Sequence, residues 1–219
     1  MRAYSALFRD RADAGRQLAA ALRDTPPPDI VFALPRGGVP VAYELAIALE
    51  APLELLMVRK IPAPGHEEYG IGAVVDGASP QVVLNDIAMT IPGVTEDYID
   101  AQVAEKLKQI ERRRQRYVGD RPPLPVEGKS VILADDGIAT GGTALAGLRA
   151  LRKAGARSVT LAIPVAPPET IGRMEAEADA VVCLHTPGDF RAVGQYYEVF
   201  DQTSDETVIA LMARAKVGH

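Results

Sequence analysis

A chain of 219 residues with 47% hydrophobic and 24% charged residues has an ordinary soluble composition, enough for one sizeable core, and one domain over residues 1–219 is the default. The formal net charge of −5 gives no electrostatic case for nucleic acid as the main partner, and the single Cys183 excludes an intrachain disulfide framework. No run approaches the roughly 20 apolar residues of a membrane span. The opening stretch MRAYSALFRDRADAG has no apolar signal-peptide core, so the expectation is a cytoplasmic protein with no membrane partner.

In chain order, Leu18 and Leu22 with several alanines predict a first helix, stopped by Pro26, Pro27 and Pro28. DIVFALP reads as a buried strand. Gly37 and Gly38 then open a turn and VPVAYELAIALE has helix-forming composition, which makes a strand, tight loop and helix unit. PLELLMV is the next strand. RKIPAPGHEEYGIGAV carries too many Pro and Gly to be regular and is expected to be a mobile loop. QVVLN is a short strand, and a long helix starts near Thr95 with Ile99, Val103, Leu107 and Ile110 on one stripe and acids in its first turn. The run Arg112, Arg113, Arg114 and Arg116 at its end is expected to be a solvated helix terminus that complements the dipole.

KSVILA, SVTLAIPV and AVVCL follow as strands, with helices in TALAGLRALRKAGA and PPETIGRMEAEA between them. The alternation predicts an α/β fold: an open, mostly parallel sheet with helices on both faces. The last helix, near TSDETVIALMARA, is expected to open with a capping box of Thr203 and Glu206.

The stretch ILADDGIATGGT carries the chemistry. Asp135 and Asp136 stand at the carboxyl end of a strand, and Gly141, Gly142 and Thr143 lead into a helix, which is where ligands of open parallel sheets bind. Glycines permit close backbone approach and a helix N-terminus favours an anion, so a phosphate fits the second half. The carboxylates only accept hydrogen bonds, which suits sugar hydroxyls or a metal-linked water. A ribose 5-phosphate has both parts. The bland reading of the acids, a helix cap with a surface turn, fails because both stand well before the helix start.

VILADDGIATGGT resembles the signature of the type I phosphoribosyltransferases, which use phosphoribosyl pyrophosphate: apolar run, two acids, a few variable residues and a phosphate loop, in register. The resemblance implies a phosphoribosyltransferase-like fold, with Asp135 and Asp136 holding the ribose 2- and 3-hydroxyls. Ala139, Thr140, Gly141, Gly142 and Thr143 would wrap the 5-phosphate. LPRGGVP at 34–40 matches the family's pyrophosphate loop, with Arg36, Gly37 and Gly38, and RKIPAPGHEEYGIGA matches its flexible loop, with Arg59 and Lys60. A plain strand-to-helix turn also accounts for Gly37 and Gly38. The whole chain is similar to an uncharacterised bacterial branch of the family, its acceptor unnamed.

Two other patterns are rejected. GKS at 128–130 resembles a nucleotide P-loop, but that motif needs Gly where Pro123 stands and lies after a strand, not before one. HEEYG begins like a zinc-protease helix, yet the second histidine would fall on Gly70. Cys183 in an apolar strand reads as a buried, inert thiol. The aromatic stretch DFRAVGQYYEVF has two readings: a small C-terminal hood, about 185–202, with Tyr196 or Tyr197 stacked on a flat acceptor, or a satellite core joining the last strand to the last helix.

The expected activity is transfer of the 5-phosphoribosyl group from phosphoribosyl pyrophosphate to a small-molecule nitrogen nucleophile, with release of pyrophosphate. Arg36, loop N–H groups and Lys60 would stabilise the leaving group around an oxocarbenium-like state. Magnesium (Mg2+) would bridge pyrophosphate and ribose oxygens, with Asp135 or Asp136 reaching it through water. The alternative from a different class is a non-catalytic regulatory sensor of phosphoribosyl pyrophosphate or nucleotides. The intact pyrophosphate loop argues for catalysis. Phosphate-ester hydrolysis at the same cradle lacks an evident base. Members of the family that act on 6-oxopurines carry an acid where this chain has Ala139, so hypoxanthine and guanine are expected to be poor acceptors. Homodimerisation is left open.

Overall fold

The computed structural model describes residues 6–215. Its main sheet is parallel throughout and built from five strands: β1 (Ile30–Ala33), β2 (Leu53–Leu55), β6 (Ser130–Ala134), β7 (Ser158–Val165) and β8 (Ala180–His185). Every residue of β1 is buried, as its unbroken IVFA run requires of a strand covered on both faces. The order is β2-β1-β6-β7-β8. The chain therefore leaves β1 in one direction and β6 in the other, and the switch point lies between them.

Helices α1 (Arg11–Ala21), α2 (Gly38–Ala48) and α6 (Asp205–Ala215) share one core cluster with Val31, Ala33 and Leu55. Helices α4 (Gly142–Lys153) and α5 (Pro168–Glu175) bury Leu148, Leu151 and Met174 against Phe32, Leu133 and Leu161 on the other side. Each such fully buried side chain stabilises the fold by about 1.5–3 kcal/mol relative to exposure. Pro40 sits in the first turn of α2, where its missing N–H would have had no helical partner. Helix α3 (Glu96–Val118) starts at its Thr95 cap, and its Ile99 and Ile110 are buried.

Four expectations need correction. The stretch expected to be a mobile loop forms regular strands, β3 (Val58–Ala63) and β4 (His66–Val75), joined by a tight turn at Pro64 and Gly65. With β5 (Gln81–Leu84) they make a second, antiparallel sheet of three strands. Ile61, Ala63, Ile71 and Val74 are buried in the core cluster that also holds Ile99 and Ile110 of α3, and the disturbance that Pro62 introduces is confined to register shifts on either side of it.

The arginine run is not simply solvated. Arg114 is 5% exposed and pairs with Glu54 at 3.1 Å and Asp76 at 3.3 Å, while Arg112 and Arg116 remain exposed. The one face of α3 that turns toward β2 must carry its charge indoors, where Glu54 waits at 0% exposure. The cap of α6 is Ser204, whose Oγ accepts the Thr207 N–H at 3.1 Å, one residue later than expected. Helix α1 ends at Leu22 before reaching the prolines, its last turn closed by the Leu22 N–H on Leu18 and Ala19 carbonyls.

Candidate active site

The switch point places two loops side by side at the carboxyl ends of β1 and β6. After β1, Leu34 continues the ladder with its N–H on the Ala134 carbonyl, and the chain turns through Pro35, Arg36 and Gly37 into α2, with a cis peptide between Pro35 and Arg36. After β6 come Asp135 and Asp136, both partly buried. A β-carbon on Gly38 would stand 2.8 Å from the Ala134 carbonyl oxygen and 2.9 Å from Asp135 Cα, and one on Gly37 would collide with the Asp136 carboxylate. These glycines are therefore more than turn formers. They let the first loop lie directly on the acid pair.

The two acids are held differently. Asp135 Oδ1 accepts the Asp136 N–H at 2.9 Å. Burial, and next the negative charge of Asp136, raise the Asp135 carboxyl well above the usual carboxylate range, and the more distant Arg11 opposes the rise. Asp136 Oδ2 accepts from Nε of Arg11 at 2.7 Å, and its backbone carbonyl accepts the Tyr197 hydroxyl at 2.6 Å. The Arg11 guanidinium also donates to the Asp201 carbonyl at 2.7 Å and lies 3.9 Å from the centre of the Phe200 ring. Sequence reasoning missed Arg11, which lies 125 positions from its partner and reads only as the first residue of a helix.

The loop 139–143 opens on a helix. Gly141 takes φ +75 at the N-cap of α4, where Met174 and Thr170 press on it, and no side chain caps the helix. Helix α5 takes two of the loop's carbonyls: Thr170 Oγ1 donates to Ala139 at 2.8 Å and Arg173 to Thr140 at 3.3 Å. The first N–H groups of α4 are thus left for an outside acceptor, favoured by the helix dipole. Thr140, Gly142 and Thr143 line a cavity of about 450 Å3 beneath the second sheet, together with Lys60, Asn85, Arg149 and Arg173.

Arg59 and Lys60 are consecutive on β3 and point to opposite faces. Lys60 borders the cavity beside the loop 139–143, whereas Arg59 faces Arg113 and Tyr117 on α3, where burial first and the Arg113 charge second lower its pKa. The strand's period of two separates a pair that the sequence had assigned to one anion. Arg36 reaches Asp205 at the start of α6 at 3.4 Å; Asp205 also binds Arg116 and Tyr117, each at 2.6 Å.

Tyr196 and Tyr197 are 3% and 6% exposed and pack with Phe8, Phe190 and Phe200. Of the two readings of this stretch, the satellite core is what these rings form, and neither tyrosine offers a wet face for stacking. The segment closes on the N-terminal side of the chain through Phe8, bridged to Tyr197. Cys183 donates to the His185 carbonyl and burial pushes its thiol up to about 11, an inert environment. Among the described residues there is no cluster of three or more metal-ligating side chains, and no helix is long and apolar enough to cross a membrane.

Two Mycobacterium tuberculosis proteins with provisional phosphoribosyl transferase names, Rv0571c and MT0597, are each 44% identical to the chain over 210 residues, 95% of its length. The chain spans about half the length of these curated relatives, 47%. The crystal structure of TT1426 from Thermus thermophilus is 40% identical, covers 94% of this chain and 98% of its own, and superposes with a TM-score of 0.83. The phosphoribosyl transferase domain family matches residues 4–200, across both loops of the switch point and the acid pair between them, and the chain belongs to that family.

Proposed function

We propose that this domain transfers the 5-phosphoribosyl group of phosphoribosyl pyrophosphate to a nitrogen nucleophile. The observation that carries the reading is the convergence at one switch point of an acid pair, a glycine loop moulded onto it and an uncapped helix N-terminus. The N–H groups of residues 139–143, with Thr140 and Thr143 hydroxyls, hold the 5-phosphate. Asp135 and Asp136 accept hydrogen bonds from the ribose hydroxyls. The loop at Arg36, Gly37 and Gly38 lies against the acids, on the side where the pyrophosphate at C1 would leave, and Lys60 approaches from β3. The acceptor nitrogen forms a bond to C1 as the C1–O bond to pyrophosphate breaks, the electron pair departing with pyrophosphate; the acceptor's proton is lost to solvent.

Magnesium fits the donor set as a substrate-borne ion. Two adjacent carboxylates without further acid ligands cannot form a protein cage, but they suit an ion that keeps substrate oxygens and waters as most of its shell. When bound it would offset charge on the pyrophosphate, with Asp135 or Asp136 reaching it through water. The segment 185–202 acts as a hood. Its Val193 packs over Gly137, next to the acid pair.

Calorimetry with phosphoribosyl pyrophosphate and magnesium tests the ribose assignment. Asp135→Asn and Asp136→Asn should each lose about 1.5–3 kcal/mol of binding. Wild-type affinity in both variants would end it. A screen of nucleobases and small amines for pyrophosphate release separates the enzyme from a sensor that binds without turnover.

A further inference from the structure

The geometry points to Arg11 as a positioning residue for ribose recognition, acting through Asp136 and braced by the aromatic segment at the other end of the chain. The inference rests on the proposed function and deepens it.

Asp136 has no freedom to choose its orientation. Gly37 lies against one side of its carboxylate, and Arg11 Nε holds Oδ2 at 2.7 Å with side-chain exposures of 11% and 15% for the two partners. An arginine fixed this firmly needs support of its own, because an unbraced long side chain loses much rotamer entropy on being ordered. The support is present: its Nη1 donates to the Asp201 carbonyl, its Cζ lies 3.9 Å over the centre of the Phe200 ring, and Phe200 packs on Tyr197, with ring centres 4.9 Å apart. Tyr197 closes the circuit through its hydroxyl on the Asp136 carbonyl. The first helix and the segment before the last one thus converge on a single acid at the end of β6.

The consequence is chemical. An Nε–H donor on one oxygen leaves the other oxygen of Asp136 as the acceptor for a hydroxyl and fixes the plane of its carboxylate. A diol presents its two hydroxyls at a fixed separation, so it gains from two acids only when both are held in place. Arg11 does not touch the ribose. It sets where Asp136 accepts.

The 2-hydroxyl is assigned to Asp136, so the test compares affinities for ribose 5-phosphate and 2-deoxyribose 5-phosphate, measured by calorimetry on the full chain. The wild type should prefer the ribose form by about tenfold, as one charge-assisted hydrogen bond allows. Arg11→Met should reduce that ratio to within twofold of unity while 2-deoxyribose 5-phosphate binding stays within threefold of wild type, and Arg11→Lys should restore part of it. Phe200→Leu, which leaves the charge but removes its brace, should give an intermediate ratio and serves where Arg11→Met fails to fold. A purely structural role would lower both affinities together and leave the ratio at its wild-type value; that result in Arg11→Met, or in Phe200→Leu if the former is unfolded, overturns the inference while sparing the proposed function. A wild type with no preference for the ribose form overturns both.

Discussion

A β-carbon on Gly37 would lie 2.7 Å from Cγ of Asp136, although the two residues belong to loops on different strands almost a hundred positions apart. The loop after β1 and the acid pair after β6 are therefore one surface. Gly37→Ala must displace either the carboxylate or the loop. Overpacking of this kind costs about 1–3 kcal/mol of stability. The larger expected effect is on binding, at least a tenfold loss of affinity for phosphoribosyl pyrophosphate, because the displaced atoms are those assigned to substrate. Gly172→Ala is the control: its β-carbon would meet nothing within 4 Å, and as a position inside α5 it should gain about 0.5–1 kcal/mol. Calorimetry and urea denaturation of both variants check the pair of outcomes, and wild-type affinity in Gly37→Ala would show that the loop is not part of the site.

The buried network around Arg114 ties three parts of the fold together. Its guanidinium pairs with Glu54 on β2 and with Asp76 just after β4, and Arg121 adds a second contact to Glu54 at 3.2 Å. Arg114→Met leaves two carboxylates enclosed with too little positive charge. Removing one partner of a buried pair costs about 3–5 kcal/mol. The denaturation midpoint should fall accordingly, and a loss below about 1 kcal/mol would mean that water compensates the acids.

The contrast between these two clusters shows what the chain declares openly and what it hides. The parallel sheet was legible because IVFA and VILA are unbroken apolar runs and VTLAIPV is broken only by Thr160. The loop 139–143 at the start of α4 was legible because its elements are contiguous. The β3–β4 hairpin was not, since Pro62, Pro64, Gly65, Gly70 and Gly72 interrupt a stretch whose strands are held by burial of Ile61 and Ile71 rather than by local propensity. Arg11 and Arg114 were hidden for another reason. A charged residue on a helix declares neither its partner nor its depth, and both depend on contacts far along the chain.

Asp76 carries a pH signature of its own. Burial outweighs the Met57 N–H and Arg114 and raises its carboxyl to about 6. A group that binds its proton more tightly when folded contributes stability at low pH, and that contribution is lost as pH rises through the folded-state value. The window is from about pH 4 to about pH 6.5. Over it the wild type should lose on the order of 2–3 kcal/mol relative to Asp76→Asn, which has no proton to release. Urea denaturation at about pH 4.5 and about pH 7 reads the difference; parallel behaviour of the two proteins would show that Asp76 titrates normally.

Lys60 presents the sharpest choice, because its cavity is shared with Thr140 and Thr143 of the loop before α4 while its strand leads toward the hairpin tip. If it serves the leaving group, its contribution belongs to the transition state, where negative charge builds on pyrophosphate. Lys60→Ala should then lower kcat by about tenfold or more, since each 1.36 kcal/mol of transition-state stabilisation is a factor of ten in rate. Affinity for ribose 5-phosphate, which has no pyrophosphate, should barely change. If Lys60 serves the 5-phosphate, both phosphoribosyl pyrophosphate and ribose 5-phosphate should bind more weakly by the same factor. The period-two geometry of β3 sharpens the reading further: Arg59 points away toward α3 and cannot take over for its neighbour, so the loss in Lys60→Ala should not be masked. Unchanged turnover and unchanged affinity for both ligands would remove Lys60 from the site altogether.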